Sequence, residues 1–376
     1  MATIEAYETA GGKRYRVRYR TPDRRQTDKR GFRTKRDAEA FAATVEVEKL
    51  TGSYVAPALG RITLSELAPD WLRRKESDVA PSNFRTLDSA WRTHVAPRWG
   101  TVRVAEVELG AVEQWIADMQ RRGSGATTVV RAYGVLAGIL DDAVKSRRLA
   151  SNPARGVENL PRKLSKRHVY LTVEDVGRLA DQAGPHRTLV LTLAFTGIRW
   201  GEAVALRVRD VEFLRRRLTI HDNAVQLGVE HAVGRTKSRR TRSVPIPEFV
   251  LTELSIAVRG KAPDDLVFPG PEGAYLPRPK TDGGWFAGAV KRAGVQRITP
   301  HDLRHTAASL AVSAGVNVLA LARMLGHTSA KVTLDTYADL FDSDLDAVAA
   351  SLHATYSPSS VGKVWAESTA PDGPSA

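Results

Sequence analysis

The sequence contains 376 residues, enough for two or three domains that each bury their own core. It holds 56 Lys and Arg against 42 Asp and Glu, and this net charge of +14 favours a polyanionic partner, most simply nucleic acid. There is no cysteine, which excludes disulfides, thiolate catalysis and Cys-ligated zinc or iron–sulfur sites, and which suits a reducing cytosol.

Association with an acidic membrane surface is the alternative explanation of the positive charge. No stretch pairs a strongly apolar face with a basic one, as a membrane-surface helix would. The longest nearly apolar run, 189–198, is far shorter than the ~20 residues of a spanning helix. The N-terminus lacks a long apolar segment, so we expect neither a signal peptide nor a membrane partner.

Residues 1–58 predict a small sheet followed by a helix that Thr34 and Asp37 cap. The stretch 13–20 alternates, so that one strand face is basic and the other apolar. The basic face carries Arg14, Arg16, Arg18 and Arg20. Such a face is either solvated or lies against DNA phosphates, and the second basic stretch at 24–36 favours DNA contact.

Residues 62–155 predict a helical bundle, because four segments follow the helical period of apolar residues. Thr63 and Glu66 form a capping-box signature before the first helix. The next segment, 156–170, is basic and predicts a linker that contains Arg162 and Lys163. This linker either helps the protein to close around a DNA duplex or is a plain tether, and composition does not separate the two.

Residues 171–354 predict a third unit that mixes helices and short strands. An apolar helix runs over 188–196, and Gly197 ends it. Helices return from 281, after short strands predicted at 217–224, 228–235 and 241–246. The segment 355–376 is rich in Ser, Pro, Gly and Ala and is predicted to be disordered. The predicted fold class is multidomain, mainly α with small antiparallel β-sheets.

Arg199 is the first candidate functional residue in this unit. It follows the helix end at Gly197 and precedes another helix, so it projects from a turn that is fixed on both sides. Glu202 lies three residues further on, where it can orient Arg199. A single pair of this kind is more often structural, so its significance depends on other residues that join it.

Lys237 lies at the tip of a predicted basic hairpin. Such a lysine is either solvated or in contact with phosphate, or it is a general acid that moves in when DNA binds. Neighbouring arginines crowd the same turn and compete for this assignment: Arg239, Arg240 and Arg242.

Histidines and arginines concentrate between 301 and 327. His301 and Arg304 are three apart on a predicted helix and can face one point. His301 and His305 also have a metal-ligand spacing, but no second cluster of ligands occurs upstream, so we expect no metal. We interpret His305 and Arg323 as structural neighbours, and His327 opens the turn that follows.

Tyr337 lies ten residues after His327 and is a candidate nucleophile. Most tyrosines in a helical region belong to the core or the surface. An ordinary tyrosine with a pKa of about 10 is only ~0.1% ionised at pH 7. A nucleophilic tyrosine therefore requires a dense positive field or a base beside its hydroxyl.

In this order, the candidate residues resemble the tyrosine recombinase (phage integrase) family over almost the whole chain. The ordered combination is specific to the family, whereas each piece alone is not. The combination comprises Arg199, Lys237, His301-Asp302-Leu303-Arg304-His305, Leu325-Gly326-His327 and Tyr337. By this resemblance, 1–58 is an arm-type DNA-binding domain, 62–155 a core-binding domain and 171–354 a catalytic domain.

The resemblance implies a reaction at DNA phosphate. Tyr337 would attack the scissile phosphate, form a 3′-phosphotyrosyl link and release a 5′-hydroxyl. Arg199 and Arg304 would hold the non-bridging oxygens and stabilise the charge that develops in the transition state. The protein would thereby cleave and rejoin DNA, to integrate or excise a phage or another mobile element.

The remaining roles also follow from the resemblance. Lys237 would protonate the leaving oxygen, and His301 would assist proton transfer with the tyrosine. His327 would hydrogen-bond the phosphate or support the pocket, and Glu202 would orient its neighbours. No metal and no other cofactor is expected, because the phosphotyrosyl bond retains the energy for rejoining.

The expected partners are double-stranded DNA at attachment sites and three further copies of the chain, in a tetramer that exchanges strands through a four-way junction. A host DNA-bending protein and an excision factor are further candidate partners. The expected location is the bacterial cytoplasm, at the nucleoid. Residues 343–353 predict an amphipathic helix that packs either on a neighbouring protomer or on its own.

Two other functions compete with this interpretation. One is a DNA-binding protein with a catalytically silent integrase-like domain, which is disfavoured because every expected catalytic residue type is present. The other is a metal-dependent phosphohydrolase, which would require divalent ions.

Deletion of residues 1–58 should weaken binding to a distal DNA site and flatten its salt dependence. The reason is that each phosphate that the basic strand neutralises contributes roughly −0.9 to the slope of log affinity against log salt. Titrations of the full chain and the deletion variant at several salt concentrations measure this slope. An unchanged slope would reject DNA contact by the arginine face.

Overall fold

The computed structural model describes residues 2–340, except 23, 53, 57, 164–167 and 236–240, and also residue 353. The chain divides into two compact units, Met1–Ser165 and Lys166–Ala376. Helices predominate and the sheets are small and antiparallel, which confirms the predicted fold class. Within the described ranges, every helix is too short or too polar to cross a membrane. The domain boundaries proposed from the sequence stay predictions.

A three-stranded antiparallel sheet and one helix form the start of the first unit. Val17 and Tyr19 on the central strand are buried against Ala38 and Val45 of the helix, so the apolar side of the predicted alternation faces a core. These elements are β1 (Thr3–Thr9), β2 (Gly12–Arg20), β3 (Gln26–Phe32) and α1 (Lys35–Leu50).

The basic side of β2 is partly neutralised within the sheet. Arg16 donates from Nε and Nη2 to Glu5 Oε2 at 2.8 and 2.5 Å, and Arg18 Nη1 donates to Glu5 Oε1 at 3.1 Å. The Arg18 side chain remains 40% exposed. DNA contact by this face stays a prediction, and any bound phosphate would compete with the Glu5 carboxylate.

A helical bundle completes the first unit around a core that contains Trp71, Trp99 and Trp115. Helices α2 and α6 approach closely because Gly138 has no side chain, and a Cβ there would lie 2.7 Å from the Trp71 ring. The helices are α2 (Leu64–Asp78), α3 (Pro81–Ala90), α4 (Ala96–Trp99), α5 (Leu109–Arg121) and α6 (Ala126–Lys145), with a π-turn at Trp91–Val95.

The second unit packs helices around two small sheets. One sheet has the order β4–β5–β8 and the other pairs β6 with β7, all antiparallel. The strands are β4 (Val211–Glu212), β5 (Arg217–Ile220), β6 (Asp222–Leu227), β7 (Glu230–Arg235) and β8 (Arg242–Pro245). The helices are α7 (Val173–Gln182), α8 (Arg187–Thr196), α9 (Trp200–Ala205), α10 (Glu248–Ala257), α11 (Trp285–Ala293), α12 (Asp302–Ser313), α13 (Val318–Leu325) and α14 (Ala330–Tyr337).

The predicted strand 217–224 is wrong as one element, because the chain changes sheets at His221. The His221 ring lies between two carboxylates, with Nε2 2.9 Å from Asp210 Oδ1 and Nδ1 3.0 Å from Asp222 Oδ2. These contacts hold His221 between β5 and β6. The hydrogen bond to Asp210 and the contact with Asp222 raise the pKa of His221, although burial acts in the opposite direction.

The helix expected from 281 begins at Trp285 instead. Gly283 has a φ of +76° and Gly284 leaves no room for a Cβ against the Lys280 backbone, so a tight turn occupies the first positions. The predicted segments 343–353 and 355–376 lie outside the described residues, apart from residue 353.

Candidate functional site

Arg304 lies near the start of α12 and is only 4% exposed. Its Nη1 donates to Gly197 O at 2.5 Å and its Nη2 donates to Leu325 O at 2.6 Å. Both carbonyls are at helix C-termini, where the partial negative charge stabilises a cation by about 0.3–1 kcal/mol, and up to ~2 kcal/mol when partly buried. Burial and the nearby Arg199 lower the pKa of Arg304 to about 10, so it remains charged at neutral pH.

Glu202 lies between two arginines, and its side chain is 1% exposed. Its Oε1 accepts from Arg199 Nη1 at 2.9 Å, as the sequence predicted. Arg242 binds both carboxylate oxygens, through Nη1 at 2.9 Å and Nη2 at 2.6 Å. Burial acts to raise the pKa of Glu202, but the hydrogen bonds from Arg242 and the two positive charges outweigh it and lower this pKa.

The C-terminus of α13 brings three arginines together. A helix ends with backbone carbonyls that have no partner inside the helix, and here each of the last ones faces a different guanidinium. Met324 O accepts from Arg242 Nε at 3.1 Å, Leu325 O from Arg304 Nη2 at 2.6 Å and Gly326 O from Arg199 Nη2 at 3.5 Å.

Two glycines make this convergence sterically feasible. Gly197 ends α8 and Gly326 ends α13, each in the left-handed region with φ of +63° and +67°. A Cβ at Gly326 would lie 2.9 Å from Cδ and Nε of Arg242, and one at Gly197 would lie 2.7 Å from Leu325. A larger residue at Gly326 would therefore push on Arg242, and one at Gly197 would push on the apolar side chains between α8 and α13.

Tyr337 is the last residue of α14 and is 1% exposed. Its hydroxyl lies 2.9 Å from Nδ1 of His305. Burial raises the pKa of Tyr337, while the charges of Arg304 and Arg199 act in the opposite direction. The interpretation of His305 as only a structural neighbour is therefore incomplete, because its ring touches the candidate nucleophile.

His305 is itself held by a residue from the predicted linker. The His168 ring stacks on it with the centroids 3.9 Å apart and an angle of 28° between the planes. Burial, together with the positive charge that His168 and His301 can carry, lowers the pKa of His305 to about 4. The ring is therefore neutral at neutral pH, with one nitrogen free to accept a hydrogen bond.

His327 also lies beside the tyrosine. Its ring is nearly parallel to that of Tyr337, with the centroids 6.4 Å apart, and its Nδ1 lies 2.7 Å from Thr333 Oγ1. Burial and the neighbouring arginines lower the pKa of His327 to about 4, which makes this imidazole neutral as well.

His301 lies just before α12, with its side chain at the surface. Desolvation by the surrounding protein and the charge of Arg304 lower its pKa. Its ring centre lies 5.1 Å from that of His305. No three His, Asp or Glu side chains within the described ranges are grouped so that they could hold a metal ion.

The remaining predicted residues either belong to the first unit or fall outside the described residues. Lys237 is outside the described residues. Arg162 and Lys163 are exposed in the first unit, and Lys163 borders a groove of about 440 Å³ with Trp71 and Arg131. The sequence alone does not identify Arg242 or His168 as site residues, because the residues they contact, Glu202 and His305, are far from them along the chain.

Comparison with known proteins indicates the family and the fold of the chain. Residues 170–344 match the phage integrase family. The integrase of Mycobacterium phage D29 is 28% identical over 322 residues, which cover 81% of this chain and 84% of that protein. A tyrosine recombinase of Thermosipho africanus is 26% identical over 278 residues, which cover 71% and 92%.

Solved structures share the fold at lower identity. The Tn1549 transposon integrase, in complex with a circular intermediate DNA, has a TM-score of 0.65 and 19% identity, and covers 76% of this chain and 99% of that one. A lambda integrase tetramer bound to a Holliday junction has a TM-score of 0.58 and 16% identity, with 86% and 95% covered.

Replacing Glu202 by Gln should destabilise the protein most at neutral pH. Breaking a buried ion pair typically costs about 3–5 kcal/mol, because the other charge is left without its partner. Since the folded pKa of Glu202 is lowered, its contribution is present above the ordinary value of 4.5 and is lost as the pH falls through the folded pKa. Urea unfolding across this range measures the difference from the unsubstituted protein. A difference that did not shrink on acidification would contradict the assigned charge of Glu202.

Proposed function

We propose that this chain, which belongs to the phage integrase family of tyrosine recombinases, is a site-specific recombinase that uses Tyr337 to cleave and rejoin DNA strands. The observation that supports the assignment of Tyr337 as the nucleophile is the set of groups around its hydroxyl. Its hydroxyl touches a neutral imidazole, and it lies in the field of Arg199 and Arg304. A base beside the hydroxyl and nearby positive charge are what a tyrosine nucleophile needs.

Arg199 and Arg304 supply the phosphate site. The Arg199 side chain is 39% exposed and can meet a DNA backbone, while Arg304 is buried and fixed by two carbonyls. A guanidinium has five N–H donors, so Arg304 keeps unused donors for a phosphate oxygen. Because these donors are already oriented, they stabilise the transition state without further reorganisation.

Strand cleavage is a transesterification. The Tyr337 oxygen forms a bond to phosphorus and loses its proton, and the bond from phosphorus to the 5′-oxygen breaks. The 5′-oxygen takes a proton from the general acid, for which we propose Lys237. Reversal by the 5′-hydroxyl of another strand rejoins DNA and regenerates the tyrosine, so neither metal nor nucleotide is consumed.

The other residues support this reaction in our proposal. Glu202 holds Arg199 in place through the contact described above. His327, neutral and parallel to the Tyr337 ring, donates a hydrogen bond to the phosphate or packs the pocket. His301 is exposed just before α12, and we propose that it contacts the phosphate that Arg304 binds.

Assembly and partners follow from the family. We propose that a tetramer acts on two duplexes, as the lambda integrase tetramer bound to a Holliday junction suggests. Residues 1–58 would bind arm-type DNA sites and 62–155 core sites, with Arg162 and Lys163 against the backbone. A host DNA-bending protein and an excision factor would determine whether DNA is integrated or excised. The reaction would take place at a bacterial nucleoid.

A nicked suicide substrate tests the proposed function. Footprinting first maps the attachment site, and the substrate then carries a nick just downstream of the cleavage point. The short fragment with the new 5′-hydroxyl then diffuses away, so that rejoining fails and the covalent 3′-phosphotyrosyl adduct accumulates. The chain should form this adduct in the presence of EDTA, and Tyr337→Phe should form none because it lacks the attacking oxygen. Denaturing gels measure the adduct.

Tyr275→Phe is the matched control, because Tyr275 pairs with Pro269 in an isolated bridge and its ring lies beside His231. This variant should form the adduct at the normal rate. An adduct with Tyr337→Phe would show that the nucleophile is another residue. Cleavage that disappears in EDTA would instead support a metal-dependent phosphohydrolase.

A further inference from the structure

His305 is more closely tied to the nucleophile than its sequence position suggests. It follows Arg304 directly on α12, so one helix fixes both the phosphate-binding guanidinium and this ring. Its Nδ1 is 2.9 Å from the Tyr337 hydroxyl, and both side chains are buried. The ring of His301, which the family resemblance assigns to proton transfer, lies at the surface.

We propose that His305 accepts the proton of Tyr337 as the tyrosine attacks, and that His168 is a positioning residue that holds the His305 ring. This inference rests on the proposed recombinase function. In the step, the Oη–H bond of Tyr337 breaks and its proton passes to Nδ1 of His305, while the Oη–phosphorus bond forms. On rejoining, His305 returns the proton to the tyrosine.

The charge state of His305 suits this role. Tyr337 can donate its hydroxyl hydrogen only if Nδ1 carries none, which requires the neutral ring protonated on Nε2. Among the described residues, the charged and titratable groups that face this pair are His168, His301, Asp302 and Arg304 and, beside the tyrosine, Arg199 and His327.

A bound phosphate makes proton transfer easier. In the DNA-free protein, burial and then nearby positive groups, Arg304 among them, keep the pKa of His305 at about 4. The negative charge of a phosphate on Arg304 and Arg199 offsets the positive charges and increases the basicity of the ring. The nucleophile is therefore activated when DNA is in place.

His168 fixes the direction of the acceptor lone pair. Its ring covers one face of His305 at a centroid distance of 3.9 Å, and it lies 6.2 Å from the Tyr337 ring. An imidazole that rotated about its Cβ–Cγ bond would turn Nδ1 away from the hydroxyl. The stack limits this rotation, so His168 acts on the nucleophile through His305.

A substrate with a 5′-bridging sulfur isolates the step. Sulfur leaves without a general acid, so Lys237→Ala should cleave this substrate at nearly the full rate, which confirms that proton donation is bypassed. His305→Leu should remain at least ~100-fold slower, in the range that a general base contributes. His305→Asn keeps a hydrogen-bond acceptor at the position of Nδ1 but cannot take up the proton, so it should be slow as well.

The pH dependence separates proton transfer from packing. The unsubstituted protein should cleave at a nearly constant rate from neutral to alkaline pH. Both His305 variants should accelerate about tenfold per pH unit, because hydroxide must then remove the proton. DNA affinity and thermal unfolding show whether each variant is folded. If His305→Leu does not fold, the comparison uses His305→Asn alone.

The His168 variants test the stack. His168→Phe, which keeps an aromatic face, should cleave at close to the normal rate, and His168→Ala should be several-fold slower with the same DNA affinity. Cleavage by His305→Asn at the normal rate and with a constant pH profile would overturn the inference. Absence of any adduct with the unsubstituted protein would instead reject the recombinase function.

Discussion

The arrangement of the candidate site in the second unit depends on the C-terminus of α13. Its carbonyls orient Arg199, Arg242 and Arg304 at once, and the only carboxylate within this contact network, among the described residues, is that of Glu202. Three guanidinium groups repel one another when they are buried together, so they stay in place because helix C-termini and a buried carboxylate compensate their charge. The phosphate of a substrate would add the further negative charge that this cluster can accept.

In the proposed mechanism, this arrangement keeps the nucleophile Tyr337 unreactive until DNA binds. Tyr337 is buried, its pKa is raised, and its hydroxyl is engaged by His305. Burial keeps the rings of His305 and His327 neutral and lowers the pKa of His301, so the positive charge of the site is concentrated on its arginines. In the proposed mechanism, a phosphate that bound those arginines would change the electrostatic environment of the tyrosine, and DNA binding would thereby be coupled to activation of the nucleophile.

The sequence was sufficient where the relevant interaction is local. Gly197 marked a helix end, and the spacing of Arg199 and Glu202 predicted their contact. It was insufficient where the partner comes from a distant element. Arg242 reaches Glu202 from a strand 40 positions away, and His305 meets Tyr337 from 32 positions away. Local spacing places His301 and His305 near Arg304, but only the contact between α12 and α14 in the folded protein shows which ring touches the tyrosine.

The most direct measurement is the rate of covalent cleavage, at saturating DNA, of Gly326→Ala and its matched variant Gly315→Ala. Both glycines have positive φ, +67° and +76°, so both variants should lose about 1–2 kcal/mol of stability through backbone strain. Only at Gly326 would the new Cβ displace Arg242, since no atom lies within 4 Å of a Cβ at Gly315. Gly326→Ala should therefore cleave ~100-fold more slowly, as a displacement of about 1 Å in an active site can cause, while Gly315→Ala cleaves normally. Equal rates for the two variants would show that the end of α13 does not position the arginines proposed to act in catalysis.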